Sequence, residues 1–333
     1  MSNFQPRRLF VGATIGVVTV IALLAAPVAA LAQAWPSKPI RLIIPFAPGG
    51  TTDIVARIVG DKMGRELGQP VIIENRAGGG GTIGADFVAK SSPDGYILGM
   101  ATVSTIATNP ATNPKIPYDS MKDFSFITNL VNVPNVYTVN PAKVPVKDMK
   151  EFIALAKRNP GKFSYASSGT GGIAHLDGEL FKVLTGTFIV HIPYRGSGPA
   201  LTDTVAGQVD TVFDNLPSSL PFIKAGKLKA LAVMSDKRVE ALPDLPTFAE
   251  VGLKDANNMA WYGLVGPAGL PKEIVEKIRN AAVKTLNDAD VRKRIADGGS
   301  IIDGGTPEQF VQKGQRELAL RRDIVKKQNI VLE

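Results

Sequence analysis

Residues 40–67 read IRLIIPFAPGGTTDIVARIVGDKMGREL. Apart from Arg41, the first five form an apolar run, the pattern of a strand covered on both faces of a parallel sheet. Gly49 and Gly50 interrupt it, and from Thr51 onward Ile54, Val55, Ile58, Val59, Met63 and Leu67 recur at helical spacing. A strand that passes through a glycine loop into a helix aims several unpaired backbone N–H groups at one spot, which suits an anion. The loop PFAPGGTTD, residues 45–53, holds no lysine, arginine or histidine. Either an anion rests there on backbone dipoles, helped by the Thr51 and Thr52 hydroxyls, or nothing binds. Asp53 serves either the helix start, as a cap or dipole-compensating carboxylate, or a ligand, through an ammonium group or a bridging water.

The same alternation continues downstream. PVIIEN (70–75) reads as a strand, a helix begins near Thr82, and YILGMAT (96–102) is the next strand, an order that calls for a parallel sheet with helices on its faces. It restarts after Pro141, with the helix VKDMKEFIALAKRNP (146–160), the strand KFSYAS (162–167), the helix GGIAHLDGELFKVLTG (171–186) and the strand FIVHIPY (188–194). GPALTDTVAG (198–207), VDTVFDN (209–215) and LKALAVMS (228–235) extend it. From WYGLVGPAGLP (261–271) a strand leads into two helices, the last opened by Thr306 as N-cap, Pro307 in the first turn and Gln309 completing a capping box. The pattern predicts an α/β, two-lobed fold. Lobe one spans about 35–136 plus 256–333 and lobe two about 137–255, each with a central, mainly parallel sheet flanked by helices. The chain crosses near 130–138 and 253–261. IIPFAPGGTTDIVARIV in lobe one has a counterpart in FSYASSGTGGIAHLDGEL in lobe two, so closing lobes would bring two helix starts to opposite ends of one ligand.

Residues 1–34 stand apart. Arg7 and Arg8 precede an uncharged apolar run from Leu9 to Leu31, and AQA (32–34) supplies the small residues a signal peptidase reads. A cleaved secretory signal is expected, with the mature chain in the periplasm; an uncleaved anchor is the alternative, since the run is long enough to span a bilayer. The absence of cysteine suits export without a disulfide framework and removes the residue a lipoprotein anchor needs. The formal net charge of +8 is scattered over helix faces such as KEIVEKIRNAAVK. That reads as a solvated surface, not a nucleic-acid or membrane contact, and its mild positive field would attract small anions.

Catalytic signatures are missing. The chain has two histidines, His175 and His191, and no H-E-x-x-H, G-x-S-x-G or P-loop pattern. Ser167, Ser168 and His175 have no acid placed to orient them, so neither an enzyme nor a metal or cofactor site is expected. Gly79 to Gly84 match G-x-G-x-x-G, yet the following strand lacks the acid that would hold a ribose. The run Gly78–Gly81 more simply permits close backbone approach near a cleft. Asn75 either bonds a ligand or fixes a loop. SSGTGG (Ser167, Ser168, Gly169, Thr170, Gly171, Gly172) repeats the physics of the first loop with more hydroxyls. PYRGSGPA (193–200) offers Tyr194, Arg195, which either pairs with a carboxylate or lies on the surface, and Ser197 as an N-cap. Asp214 and Asn215 end another strand, where open α/β sheets bind ligands.

Taken together, PFAPGGTTDIVAR, VIIENRAGGGGTIGADFVAKSSPDGY, KFSYASSGTGGIAHLDGELFK, IPYRGSGPALTDTVAGQVD, LKALAVMSDKRVEALPDLPTFAEVG and WYGLVGPAGLP resemble the Bug family, the periplasmic substrate-binding proteins of tripartite tricarboxylate transporters. The resemblance covers essentially the whole mature chain in order. It implies a type II binding protein, expected as a monomer, that closes on a small carboxylate, whether a di- or tricarboxylate, an acidic amino acid or an aromatic acid, and delivers it to membrane permease subunits. It also implies that Phe46, Ala47, Pro48, Gly49, Gly50, Thr51, Thr52 and Asp53 hold one end of the ligand and the Ser167–Gly172 loop the other, with His175 nearby. Tyr194, Arg195 and Gly196 occupy the family's Tyr-basic-Gly position, where lysine is frequent, and Ala47 stands where a proline is common. An exported sensor that signals to a membrane receptor without import is the alternative.

Overall fold

The computed structural model describes residues 1–2 and 35–330. The signal expected over 1–34 therefore falls, but for its first two residues, outside the described residues. Among those described, no helix is long and apolar enough to cross a membrane.

Two sheets form the frame. The first runs in the order β11-β4-β10-β3-β1-β2, from β1 (Ile40–Ile44), β2 (Val71–Asn75), β3 (Ile97–Thr102), β4 (Phe124–Val133), β10 (Ala260–Pro267) and β11 (Ile301–Ile302). The second runs β7-β6-β8-β5-β9, from β5 (Asn135–Val139), β6 (Ser164–Ser167), β7 (Val190–Pro193), β8 (Thr211–Asn215) and β9 (Lys229–Met234). The apolar run at 40–44 is β1, paired in parallel with β2 on one side and β3 on the other and buried at Ile40, Leu42, Ile43 and Ile44. Both sheets are mixed but mainly one-directional, as the alternation predicts: β10 and β11 alone run against β1, β2, β3 and β4, and β5 alone against β6, β7, β8 and β9. β2, β1 and β3 are parallel, as are β7, β6 and β8, but β4, β10 and β11 pair antiparallel, and so do β5 and β9. The physical reason is the connectivity. The chain enters the second sheet on β5 and returns to the first on β10, and these two strands run against those joined by crossover helices, while β4 and β9 keep the direction of their sheets' parallel strands.

The helices cover these sheets. α1 (Thr51–Leu67) presents Val55, Ala56, Ile58, Val59, Met63 and Leu67 to the first core and stops at Gly68, whose left-handed conformation returns its N–H to the carbonyls of Gly64 and Arg65. A glycine turn at Gly79–Gly81 leads into α2 (Thr82–Ala89), and a π-turn at Ser104–Thr108 into the short α3 (Asn109–Thr112). In the second lobe, α4 (Met149–Arg158), α5 (Ile173–Thr185), α6 (Ser197–Val205) and α7 (Leu216–Lys224) follow their strands. α8 (Lys272–Leu286) and α9 (Ala289–Asp297) return to the first lobe. α10 (Pro307–Lys327) starts with the expected capping box: Thr306 Oγ1 accepts from Gln309 N at 3.3 Å while Gln309 Oε1 accepts from Thr306 N at 2.8 Å. Its Phe310 and Leu318 join the first core, whereas Ile324, Val325 and the following Ile330 pack on the second. α10 thus bridges both lobes beside the two crossings.

Candidate functional site

Four strands of this fold end at helix starts that face one chamber between the lobes. β1 leads through the 45–50 loop to α1, β6 through Ser167–Gly172 to α5, β7 through Tyr194–Gly196 to α6, and β8 directly into α7, for which Asn215 is the N-cap residue. Phe46, Gly50, Thr52, Ser168, Ser197 and Asn215 line the chamber together with Thr102, Val103, Ser104, Ile173, Ala260 and Tyr262. No lysine, arginine, histidine or carboxylate is among them. Its polarity comes from hydroxyls, one carboxamide, one phenol and the N-terminal ends of helices, which together carry positive partial charge. A small anion can be held there without a formal cation.

The lobes touch around this chamber. Thr51 Oγ1 accepts from Ser218 N at 3.1 Å and exchanges a hydroxyl bond with Ser218 Oγ at 2.8 Å. Ala47 N donates to Arg195 O at 3.0 Å, and Ile173 N donates to Ser104 Oγ at 3.0 Å. Gly80, in the glycine run, lies so close to the second loop that a Cβ there would sit 2.3 Å from Thr170 O. The glycines are what let the two backbones approach.

Several residues singled out by sequence stand behind the chamber wall. Asp53 accepts from Gly49 N at 3.2 Å and from Asn75 Nδ2 at 3.1 Å, and it pairs with Arg57 at 3.0 Å. Burial opposes its ionisation, but these bonds outweigh burial and hold its carboxyl below the usual range. Asn75 also donates to Phe46 O at 3.0 Å. Both side chains fix the loop. Asp53→Ala should therefore cost about 2 kcal/mol of stability by orphaning those donors, measured as a lowered melting temperature at pH 7. Because the carboxyl is held low in the folded state, its contribution is present above pH 3.8 and vanishes in acid, so the difference from wild type should close there.

Asp214, buried at the start of α7, accepts the hydroxyls of Ser218 (2.6 Å) and Ser219 (2.8 Å), and burial raises its pKa against those bonds. With Ser218's proton committed to Asp214, the hydroxyl bond across the cleft is donated by Thr51. Tyr194 is turned to its own lobe: its hydroxyl donates to Asp203 at 2.7 Å, and burial first, then Asp203, pushes its pKa up to about 12. Arg195 is exposed and contributes its carbonyl, not its guanidinium, to the contact between lobes. His175 is buried under the second loop, where its Nδ1 accepts from Gly171 N at 3.2 Å.

Other chamber residues went unread in the sequence. Thr102 and Thr105 bond each other reciprocally, Thr102 N to Thr105 Oγ1 at 3.1 Å and Thr105 N to Thr102 Oγ1 at 3.2 Å, which ends β3 and turns Ser104 into the chamber. The T-x-x-T spacing was the available signal. Tyr262 had none. Its hydroxyl donates to Asn215 Oδ1, Asn215 Nδ2 to Asn135 Oδ1 at 2.6 Å, and Asn135 Nδ2 to Asp177 Oδ2 at 3.3 Å and to Asn258 O at 3.1 Å. This directional chain runs from the chamber to both crossings.

The profile of the tripartite tricarboxylate transporter family receptor matches residues 55–330. The chain belongs to this family. Its sequence is 37% identical to protein BugT of Bordetella pertussis over 298 residues, covering 89% of this chain and 90% of that protein. Among solved structures, one described as a periplasmic transporter shares 54% identity (TM-score 0.88; 90% of this chain, 100% of the other). A Rhodopseudomonas palustris protein with adipate shares 34% (TM-score 0.86; 89% and 99%), and MatC of the same organism with bound malate shares 34% (TM-score 0.84; 87% and 100%). These receptor relatives confirm the two-lobed α/β binding-protein fold, and they are solute-binding proteins, not enzymes.

Proposed function

We propose that this receptor captures a small carboxylate, a dicarboxylate of about four to six carbons foremost, in the periplasm and hands it to the membrane subunits of a tripartite transporter. The observation that carries this reading is the chamber itself, a site ringed by four helix starts and hydroxyls with no cation. Helix starts on both lobes give each end of a diacid its own set of N–H donors, and a site without a full charge holds an anion firmly but releasably. The relatives with malate and adipate supply the size class. Capture works by closure of lobe one (35–136 plus 256–333) on lobe two (137–255) about the two crossings. The signal at 1–34 accounts for export, and the ligand contacts fall to the 46–52 loop and to Ser168, Ser197 and Asn215, with Asp53, Asn75, His175 and Asp214 holding them in place.

A thermal-shift screen of the purified protein against malate, succinate, adipate, citrate, glutamate and benzoate tests this. At about 100 times its dissociation constant, a ligand adds roughly 2.7 kcal/mol. For a chain of about 300 residues that is a rise of about 4 °C. At least one diacid should produce it; a flat response across the panel, with no carboxylate released from denatured protein, would overturn the reading.

A further inference from the structure

His175 and His191 are the two histidines of the chain, and the fold stacks them beneath the Ser167–Gly172 loop. Their ring centroids are 3.7 Å apart with planes at 14°, and Tyr165 stacks on His191 at 4.9 Å. The hydrogen bonds fix where each ring carries its proton. Gly171 N–H donates to His175 Nδ1 at 3.2 Å, so that nitrogen is bare and the proton is on Nε2. Ser167 is fully buried and its Oγ meets the Gly169 N–H at 3.2 Å, which can only donate, and His191 Nε2 at 2.6 Å, so the ring nitrogen is the acceptor on offer for the hydroxyl hydrogen. His191 is then protonated on Nδ1. His175 thus takes the N–H of Gly171, and Ser167, bonded to His191, takes that of Gly169. Those of Ser168 and Thr170 have no protein acceptor among the described residues, and Ser168 lines the chamber.

We propose that the stacked histidines, held neutral in opposite tautomers, are positioning residues that decide which amides of the lobe-two loop are left for an anionic ligand. The inference rests on the carboxylate reading above. A proton on His175 Nδ1 sets N–H against the N–H of Gly171 and releases the loop. His191 is more tolerant, because Ser167 Oγ can accept from both the ring and Gly169. The titratable groups around the pair are Glu179 and Lys182 of α5, bonded to each other at 2.7 Å, and Tyr165 of β6, whose hydroxyl donates to Glu179 at 2.7 Å. Glu179 stands 3.8 Å from His175 Nε2. Burial, with a smaller effect from Lys182, lowers the pKa of His175 to about 4; burial and then the neighbouring His175 lower that of His191 to about 3. The loop therefore keeps its amide pattern from neutral pH down to about 5 and loses it toward 4.

Nitrogen-15 NMR of untagged protein tests this directly, since only two imidazoles contribute. The expected spectrum shows one Nε2–H and one Nδ1–H neutral ring, unchanged between about pH 8 and 5.5. Two like tautomers, or a His175 that titrates near 6.5, would overturn the proposal. Adipate and malate binding supplies the second arm. His175→Asn, whose amide oxygen can accept from Gly171, should stay within about threefold of wild type, while His175→Leu should weaken binding about tenfold or more and speed amide exchange at Gly171. Protected Gly171 exchange in His175→Leu would sink the idea. If neither diacid binds the wild type, the carboxylate reading fails, while the tautomers and the exchange rates still decide the role of the histidines.

Discussion

Gly198→Val should abolish ligand binding while leaving the fold of each lobe intact. A Cβ at Gly198 would lie 2.1 Å from Pro48 O, with Pro48 C at 3.2 Å and Gly49 Cα at 3.4 Å. Every one of these neighbours belongs to the loop of the opposite lobe. On the proposed hinge closure they are gone in an open form, and Gly198, in the first turn of α6 without a positive φ, can take valine at a cost well under 1 kcal/mol. In the closed form the clash is with backbone and cannot be relieved by a rotamer. Closure must then stop short by an ångström or more, which separates the N–H groups of the two lobes from opposite ends of a short diacid. The expected result is at least a 100-fold loss of affinity for whichever diacid binds the wild type, equivalent to about 2.7 kcal/mol, with a ligand-free melting temperature within about 3 °C of wild type. Calorimetry and a thermal melt read the two quantities separately. Gly50→Val is a graded companion, because its Cβ would meet the Ser197 side chain at 3.1 Å, a contact that can yield a little. Wild-type affinity in Gly198→Val would mean that the ligand is not enclosed by the contact of these two loops.

The parts of this site that sequence exposes are those built from neighbours in the chain. A buried strand, two glycines and a helix period place β1, its loop and α1 without tertiary information, and the same holds for β6 and α5. The i,i+4 spacing of Asp53 and Arg57 in DIVAR already carries the ion pair that decides Asp53's role. Arg57, one helical turn on, is what decides between a ligand contact and a loop anchor. What sequence hides depends on long-range pairing. The reversed strands β5 and β10 are apolar runs whose direction is set by where the chain crosses, not by their own residues. Tyr262 and Asn135 are ordinary polar residues until β10 and β5 place them beside Asn215, the strand-end residue that sequence does single out.

That buried chain ends on a charge whose partner lies in the bridging helix, and Arg321→Met should show it as a large, pH-dependent loss of stability. Arg321 is 1% exposed in α10; its Nη2 donates to Glu317 at 2.8 Å, while Nε and Nη1 have no partner among the described residues. Asp177 in α5, also 1% exposed, accepts from Asn135 through one oxygen, and its other oxygen has no partner among the described residues. Burial pushes the Asp177 carboxyl up to about 7, against the opposing pull first of the Arg321 charge and then of the Asn135 amide. Because this folded pKa lies above the ordinary 3.8, the favourable contribution of the group is complete in acid and is lost as pH rises through about 7. Removing the guanidinium raises the carboxyl further and leaves it without a counter-charge once ionised. The expected cost is about 3–5 kcal/mol at pH 8, a fall of roughly 5–8 °C in melting temperature, and clearly less at pH 5, where Asp177 is protonated in both folded proteins. Asp177→Asn in the Arg321→Met background should recover part of the loss at pH 8 and flatten its pH dependence, the coupling a double-mutant cycle isolates. An equal cost at both pH values, with no recovery in the double variant, would mean that Arg321 acts through packing alone and that Asp177 draws nothing from α10.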